Sequence, residues 1–376
     1  MSDRKYKNFD TSGLDYDNSK QVHEKHRNEA IEEINNRYPH INKHRALISG
    51  AAGQDCASLS KILLEKGYEV YLTDRRISTP SNRYWRLEEL GIKDKVTILY
   101  ATLENYASIL EAVRVSRPTE IYHLAAQSFV TNSFEDEFST LSININGTHN
   151  FLRAMRELEP YAKFYTACSS EQFGVVEKIP QDETTNFHPR SVYGISKCTA
   201  FELTRHYREL GFHCSNGILF NHEGPYRGRQ FVTRKITASL VECVIENKKF
   251  KLGNIDSKRD WGDSSEYCLG MWKMLQQEQA DDYVLATNET HSIREFLDEA
   301  AIVLGNLVGK KIDWKNYVEY DEALKRPCEV DLLIGNPQKA KDKLGWEPKV
   351  KFKELVKIMI EADYRRYKDG TLKFKS

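Results

Sequence analysis

The 376-residue chain lacks the features that would place it in a membrane, outside a cell or along a nucleic acid. No apolar run approaches the roughly 18–20 residues that a membrane-spanning helix needs. Met1 to Lys7 is polar and has no apolar stretch of the secretory-signal kind, so a cytoplasmic protein with no membrane partner is expected. The seven cysteines (56, 168, 198, 214, 243, 268 and 328) are scattered, odd in number and contain no C-x-x-C pair. They read as free thiols in a reducing compartment, with neither a disulfide framework nor a metal site. The N-x-[ST] triplets beginning at Asn146 and Asn288 are then chance matches. An excess of one charge is missing too: 55 Lys plus Arg balance 55 Asp plus Glu. That excludes a surface built to grip a nucleic acid, while leaving room for a local basic pocket. No internal repeat or low-complexity segment is present. The hydrophobic share of 40% suffices for a core and excludes wholesale disorder. The length suits two domains, or one α/β domain with a smaller lobe.

Residues 1–44 form a polar arm that carries His23, His26, His40 and His44. Val22, Ala30, Ile31, Ile34 and Tyr38 suggest one weakly amphipathic helix before Pro39. The arm could pack on a neighbouring subunit or remain a solvated extension. Order is expected from Arg45. The apolar run Ala46-Leu47-Ile48 ends in Ser49, and the glycine turn Gly50-Ala-Ala-Gly53 follows. Ala57 to Lys66 has helical spacing, and Gly67 caps it. A second strand, Tyr68 to Leu72, leads into Thr73-Asp74-Arg75-Arg76. Strand, glycine turn, helix, strand is the arrangement in which glycines let backbone approach a pyrophosphate and a helix N-terminus donates N–H groups to it. Asp74 stands where an acid binds adenosine ribose hydroxyls. Arg75 and Arg76 could instead hold a 2′-phosphate, so NAD and NADP both remain open.

Further strands are expected at Val96–Leu99, Glu120–Leu124 and Lys163–Ala167, with helices at about 106–114 and 144–157. This alternation implies an α/β fold with a doubly wound parallel sheet. Ligands bind outside the carboxyl ends of such strands, where Ala125-Ala126-Gln127-Ser128 and Cys168-Ser169-Ser170-Glu171 fall. Downstream, Tyr193 and Lys197 are four residues apart and share a helical face, leading into a helix at Cys198–Glu209. A phenol with a pKa of about 10 is a poor base at neutral pH. A nearby ammonium is expected to lower that value. Ser169 could bond the same substrate hydroxyl from which the phenolate takes a proton, while a nicotinamide accepts hydride from the same carbon.

With these residues in view, the sequence resembles the extended short-chain dehydrogenases/reductases, and within them the GDP-mannose 4,6-dehydratases. The resemblance runs from about Arg45 to about residue 362. It is carried by Ser49-Gly-Ala-Ala-Gly-Gln-Asp55, His123-Leu-Ala-Ala-Gln-Ser128, Ser169-Ser-Glu171 and Tyr193-Gly-Ile-Ser-Lys197. More specific are Asn216-Gly-Ile-Leu-Phe-Asn-His-Glu223, Phe231-Val-Thr-Arg-Lys235, Leu252-Gly-Asn-Ile-Asp-Ser-Lys-Arg-Asp-Trp-Gly262 and Arg326-Pro-Cys-Glu-Val-Asp331. The resemblance implies a Rossmann-type doubly wound parallel sheet with a smaller, interleaved C-terminal substrate-binding lobe. Residues 45–220 would be the NAD(P)-binding domain and 221–376 the lobe. It implies a GDP-sugar 4,6-dehydratase that oxidises C4, eliminates water across C5 and C6, and returns the hydride to C6. The product would be a GDP-4-keto-6-deoxy sugar. Tyr193 would be the base, Ser169 its hydrogen-bonding partner, Lys197 its cationic neighbour and Glu171 the acid–base group at C5. NADP or NAD would stay tightly bound and be regenerated each turnover, held by Gly50, Gly53, Gln54, Asp55, Asp74, Arg75, Arg76, Leu124, Ala125, Ala126, Tyr193 and Lys197. Ser128, Asn221, Val232, Lys235, Arg259, Arg326 and Glu329 fall on the family's GDP-sugar contacts. The family's habit of dimers and tetramers implies a homo-oligomer, and the Arg75-Arg76 loop through Arg83 suits a homotetramer.

Some positions depart from the family pattern. Cys56 replaces the third turn glycine, Thr102 an adenine-contacting Asp, and Ser169 a Thr. Asp74 replaces an uncharged residue, which tips the expectation slightly towards NAD, against the arginine pair. Gly224-Pro-Tyr-Arg227 also differs. The hexose therefore stays open between GDP-mannose, GDP-N-acetylglucosamine and a GDP-heptose. Two other functions stay open. One is an epimerase or 4-keto reductase of the same superfamily, which needs no acid at Glu171. The other is a non-catalytic, dinucleotide-binding regulatory protein. Trp261 and Tyr267 fit core positions as well as a site.

Overall fold

The computed structural model describes residues 44–76, 82–324 and 333–374. The arm with His23 and His26, and the GDP-sugar contacts expected at Arg326 and Glu329, lie outside the described residues. Strands β1 (Arg45–Ser49), β2 (Glu69–Asp74), β3 (Thr97–Tyr100), β4 (Glu120–His123), β5 (Lys163–Ser169) and β6 (Cys214–Leu219) follow one another, and β7 (Asn221–Glu223) comes directly after β6. Then come β8 (Phe250–Leu252), β9 (Lys258–Arg259), β10 (Trp261–Asp263), β11 (Asp282–Leu285), β12 (His291–Ser292) and β13 (Val318–Tyr320). The central sheet has seven strands in the order β11-β6-β5-β4-β1-β2-β3, and every pairing is parallel. From β1 the chain winds outward through β2 and β3, then returns to β4 on the other side of β1. The connections diverge between β1 and β4, and that divergence opens a crevice at their carboxyl ends.

The apolar run of β1 is continuous because both faces of a parallel sheet are covered. Ala46 and Ile48 enter one core, while Leu47 enters the other. The first core is closed by α1 (Gln54–Glu65), which contributes Cys56, Leu59 and Leu63. After a short α2 (Trp85–Glu89), the second core is closed by α3 (Tyr106–Ser116) and α4 (Gly147–Leu158). Ile109, Ala112 and Val113 of α3 meet Phe151, Leu152 and Met155 of α4 there, at helical spacing. Next comes α5 (Val192–Glu209), which packs on β5 and β6.

The later chain serves both the sheet and a lobe. Helices α6 (Val232–Glu246), α7 (Ser264–Leu275), α8 (Ile293–Val308), α9 (Gln338–Leu344) and α10 (Phe352–Lys368) follow in order. α7 packs on α1, and β11 completes the sheet beside β6, so the segment after residue 221 returns to the first core. α6, α8 and α10 form the lobe around their own core, which includes Phe296, Leu355, Val356 and Met359. Three ladders of two or three residues per strand, β7 with β10, β9 with β12 and β8 with β13, attach to it. Trp261 (2% exposed) and Tyr267 (0%) are core aromatics.

Several boundaries differ from the sequence expectation. α1 begins at Gln54 rather than Ala57, so the glycine turn runs straight into the helix. β5 continues to Ser169, two residues past the expected end, because its register with β6 persists through Ser169 opposite Leu219. α5 begins at Val192 rather than Cys198. Ser191 caps it, its Oγ accepting from the Gly194 N–H at 3.0 Å. Glycine is required at 194, since a Cβ there would lie 2.8 Å from the Glu171 carbonyl oxygen. Tyr193 and Lys197 thus stand in the first two turns of the helix, pressed against the end of β5.

Candidate active site

The crevice is lined by three backbone edges. The first is the glycine turn after β1. Gly50 has φ +92°, and a Cβ on it would meet Ala125 at 3.3 Å. Gly53 caps α1 without a side-chain hydrogen bond, which leaves the first helical N–H groups facing the crevice end of the sheet. This turn, with Gly50 at its start and Gly53 at the uncapped start of the helix, fits a dinucleotide pyrophosphate. The second edge follows β4. The Ser49 hydroxyl accepts from the N–H groups of Leu124 (3.0 Å) and Ala125 (2.9 Å). With both lone pairs used, its proton must go to His123 Nδ1, 3.0 Å away. His123 is therefore neutral, and burial, with the charge of Lys197, drives its pKa down to about 3. Ala126 is half-buried and Ser128 exposed on the same edge.

The third edge carries the side chains expected to be catalytic. Ser169 ends β5 and caps the turn Ser170–Gln172 in a reciprocal box. Its Oγ accepts from the Glu171 N–H (3.3 Å), and its own N–H donates to Gln172 Oε1 (2.9 Å). Ser169 also hydrogen-bonds Tyr193, and the Glu171 charge acts on the same phenol. Tyr193 is 8% exposed and Lys197 7%. Lys197 Nζ lies 5.8 Å from the Tyr193 ring centre and donates to the Ala167 carbonyl at 2.7 Å. The structure thus brings Ser169, Glu171, Tyr193 and Lys197 together.

The expected drop in the phenol pKa is corrected here. Burial pushes Tyr193 up to about 12, with Glu171 adding to it against the Ser169 hydrogen bond and the Arg227 charge. Lys197 is itself lowered by burial and spends a donor on Ala167. The Arg227 charge also bears on the phenol; its guanidinium sits 3.5 Å from the Phe231 ring centre and pairs with Glu223 at 2.9 Å.

Other expected cofactor residues take more specific places. The Gln54 side chain donates to the His222 carbonyl at 2.9 Å, and Asp55 pairs with His222 Nε2 at 3.0 Å. Burial raises the Asp55 pKa, but His222 and Arg227 outweigh it, so Asp55 ends below its ordinary value. His222 is raised: burial lowers it, and the Asp55 charge and hydrogen bond more than compensate. Both α1 side chains are thus committed to β7, and only their backbone remains for a pyrophosphate. At the end of β2, Asp74 (8% exposed) accepts from the Arg75 N–H at 2.8 Å and from Arg83 at 2.7 Å. Burial raises its pKa against the pull of Arg83. Arg75 and Arg76 are exposed, Arg76 lying 4.9 Å from the Tyr100 ring centre. The Thr102 N–H donates to Ser108 Oγ at 3.1 Å.

The expected sugar-nucleotide contacts are spread across the lobe. Asn221 lies on β7, Val232 starts α6, Lys235 is one turn further on, and Arg259 (7% exposed) lies on β9. Burial lowers Lys235, against the field of Asp321. Asp321 lines a surface depression of about 370 Å³ with Gly253, Asn254, Arg294 and Tyr320. Sequence reasoning missed Gln172, His222 and Asn144. The Ser-x-x-Gln spacing of a capping box could have found Gln172. Asn144 sits in a π-turn, Ser142–Asn146, and donates to Ser196 Oγ (2.9 Å) and the Gln127 carbonyl (3.1 Å). It thereby ties the β4 edge to α5.

The family description GDP-mannose 4,6 dehydratase matches residues 47–359. GDP-mannose 4,6 dehydratase 1 of Arabidopsis thaliana is 44% identical over 331 residues, 85% of this chain and 89% of that protein. The GDP-mannose 4,6 dehydratase of Homo sapiens is 42% identical over 339 residues, covering 85% and 91%. Among solved structures, a Streptomyces venezuelae dTDP-glucose 4,6-dehydratase with NAD bound superposes with a TM-score of 0.74 at 19% identity, covering 88% of this chain and 99% of that one. A Thermus thermophilus UDP-glucose 4-epimerase complex with NAD gives 0.71 at 23%, covering 85% and 98%. At these identities the structural likeness speaks for the fold, a Rossmann-type sheet with an attached lobe.

Proposed function

The chain belongs to the GDP-mannose 4,6-dehydratase family, and from that premise we propose that it converts GDP-mannose to the GDP-4-keto-6-deoxy sugar. The observation that carries this is the carboxylate of Glu171 on the turn whose capping Ser169 bonds Tyr193. A Ser–Tyr–Lys set alone serves oxidation and reduction at C4; elimination needs an additional acid–base group at C5. A bound nicotinamide dinucleotide supplies the hydride acceptor and donor. Tyr193 takes the proton of the C4 hydroxyl, with Ser169 bonding the same oxygen. The 4-keto group acidifies C5, and Glu171 takes that proton. Glu171 then passes it to the departing C6 hydroxyl, which leaves as water, and Tyr193 returns its proton to C5 as hydride is restored to C6.

The glycine turn, the N–H groups of Gln54 and Asp55, and the Leu124–Ala126 edge are assigned to the dinucleotide. The side chain of Asp74 favours NAD, because a 2′-phosphate beside it would face a buried carboxylate. Asn221, Val232, Lys235 and Arg259 are assigned to the sugar nucleotide, with Ser128 at the hexose and the depression at Gly253 to its nucleoside end. Arg326 and Glu329 are proposed contacts on the strength of their motif. A homo-oligomer is proposed on family grounds; among the described residues no helix is long and apolar enough to cross a membrane.

The test is incubation of the purified chain with GDP-mannose, GDP-N-acetylglucosamine and a GDP-heptose, read by mass spectrometry. Loss of one water from GDP-mannose, with no added nicotinamide consumed, is expected. Unchanged mass with an inverted stereocentre would instead make the chain an epimerase. Water loss from the N-acetylhexosamine alone would move the substrate. Light scattering that returns a monomer would remove the oligomer.

A further inference from the structure

Three arginines from three separate elements converge on one buried indole. Trp85 is 1% exposed, and the guanidinium carbons of Arg86, Arg366 and Arg234 lie 4.5, 5.0 and 5.4 Å from its ring centre. Two of the three are ion-paired. Arg234 of α6 bonds both oxygens of Asp363 at 3.0 Å. Arg366 of α10 bonds Glu89 at 2.7 Å and Asp363 at 3.0 Å. Arg86 differs: among the described residues it makes no ion pair. It donates to two backbone carbonyls, that of Tyr226 at 2.6 Å and that of Ala52 at 2.7 Å. The acid whose field reaches it, Asp55, is already tied to His222.

Those two carbonyls belong to different parts of the site. Ala52 lies inside the glycine turn, between Gly50 and Gly53. Tyr226 lies in the turn that joins β7, with Asn221, to α6, with Val232 and Lys235. The remaining hub bonds converge on that second turn: Arg366 holds the Pro225 carbonyl at 2.7 Å, and Arg234 the Arg227 carbonyl at 2.7 Å. The turn after β7 is thus held rigidly by three arginines, and one of them also holds the glycine turn. The planar fork sends Nε to the Tyr226 carbonyl and Nη1 to the Ala52 carbonyl, two donors of fixed divergence that a lysine ammonium on its flexible stem does not reproduce.

We propose that Arg86 is a positioning residue that braces the dinucleotide-binding turn against the substrate lobe, so that dinucleotide and GDP-sugar binding are energetically coupled through it. This rests on the dehydratase reading, which requires both ligands in one cleft. Coupling of this kind is reciprocal: each ligand tightens the other by the same factor. Arg86 touches neither ligand and acts by fixing the Ala52 and Tyr226 carbonyls relative to each other.

The experiment titrates the full chain, stripped of bound dinucleotide, with NADH and NADPH in parallel by fluorescence, in the absence and presence of saturating GDP. In the unaltered chain, GDP is expected to tighten the preferred dinucleotide by at least about fivefold. In Arg86→Gln the dinucleotide should bind roughly tenfold more weakly, and GDP should no longer change its affinity. Arg366→Gln, in the same hub but without the Ala52 contact, should lower the melting temperature and keep the GDP effect. A GDP effect in Arg86→Gln equal to that of the unaltered chain overturns the proposal, as does an equal loss in Arg366→Gln. If Arg86→Gln does not fold, Arg86→Lys takes its place. Weakened coupling there supports the proposal, and undiminished coupling overturns it. Failure of the unaltered chain to bind either dinucleotide would sink the dehydratase reading itself, and the proposal with it.

Discussion

Tyr193 and Lys197 are placed by the first two turns of one helix, whereas Asn221, Lys235 and Arg259, the proposed sugar-nucleotide contacts, lie on three elements that share no ladder. At the sheet edge, hydrogen bonds to backbone pin part of the candidate catalytic set. Ser169 is locked by its own capping box, Lys197 by the Ala167 carbonyl, and α5 by the Ser191 cap. In the lobe, Lys235 is half-buried and Asn221 sits on a three-residue strand. The physical demands differ in the same direction. Proton transfer tolerates little displacement, and an error of about 1 Å can cost roughly 100-fold in rate. A charged grip on a diphosphate acts over a longer range and tolerates more. The sheet edge should therefore govern kcat, and the lobe KM.

The largest expected effect is that of Tyr193→Phe, which should cut kcat by about 10³–10⁴. GDP affinity, read by calorimetry, should not change; a matching loss there would break the division between edge and lobe. Next is Glu171→Gln, with a fall of roughly 10²–10³ in water elimination. Its sharper readout is loss of solvent-deuterium incorporation at C5, and normal incorporation in this variant would remove Glu171 from the C5 step. Lys235→Met belongs to the lobe and should raise KM for GDP-mannose by about 10–100-fold with kcat nearly unchanged. A kcat loss larger than the KM change would show that the lobe shares in the chemistry.

The smallest effect concerns stability rather than rate. His123 is buried neutral, with a pKa of about 3 against an ordinary 6.5. Between those values the unfolded chain binds the proton and the folded chain does not, so stability falls as pH drops. It is fully present above pH 6.5, and the loss approaches about 1.4 kcal/mol per pH unit well inside that window. Replacing His123 by Asn should flatten the dependence of denaturant midpoint on pH from 6.5 towards 4. An unchanged slope would mean that other groups carry it.

How much of this was legible follows the same divide. The glycine turn and the Tyr193/Lys197 pair could be read because each is a local pattern, one of turn geometry and one of helical spacing. α5 starts six residues before the expected Cys198, although Ser191 offers a cap, because apolar periodicity weakens in a first turn that must pack glycine against Glu171. The ladders β7 to β10 and β9 to β12 carry no readable alternation, being two or three residues long. Gln54 and Asp55 were readable as part of a motif but not as partners of His222, which lies more than 160 residues away.

The sequence by itself determined the parallel sheet, the glycine turn and Ser169, Glu171, Tyr193 and Lys197 as the candidate catalytic set. These depend on strand and helix periods and on glycine conformation, which neighbours within a few residues enforce. The tertiary structure decided the rest. It set which carboxylate meets which cation, and it brought the Arg227 charge to bear on the Tyr193 phenol. It also gathered Arg86, Arg234 and Arg366 around Trp85. Burial and charge pairing act through space, between residues that the chain order keeps far apart.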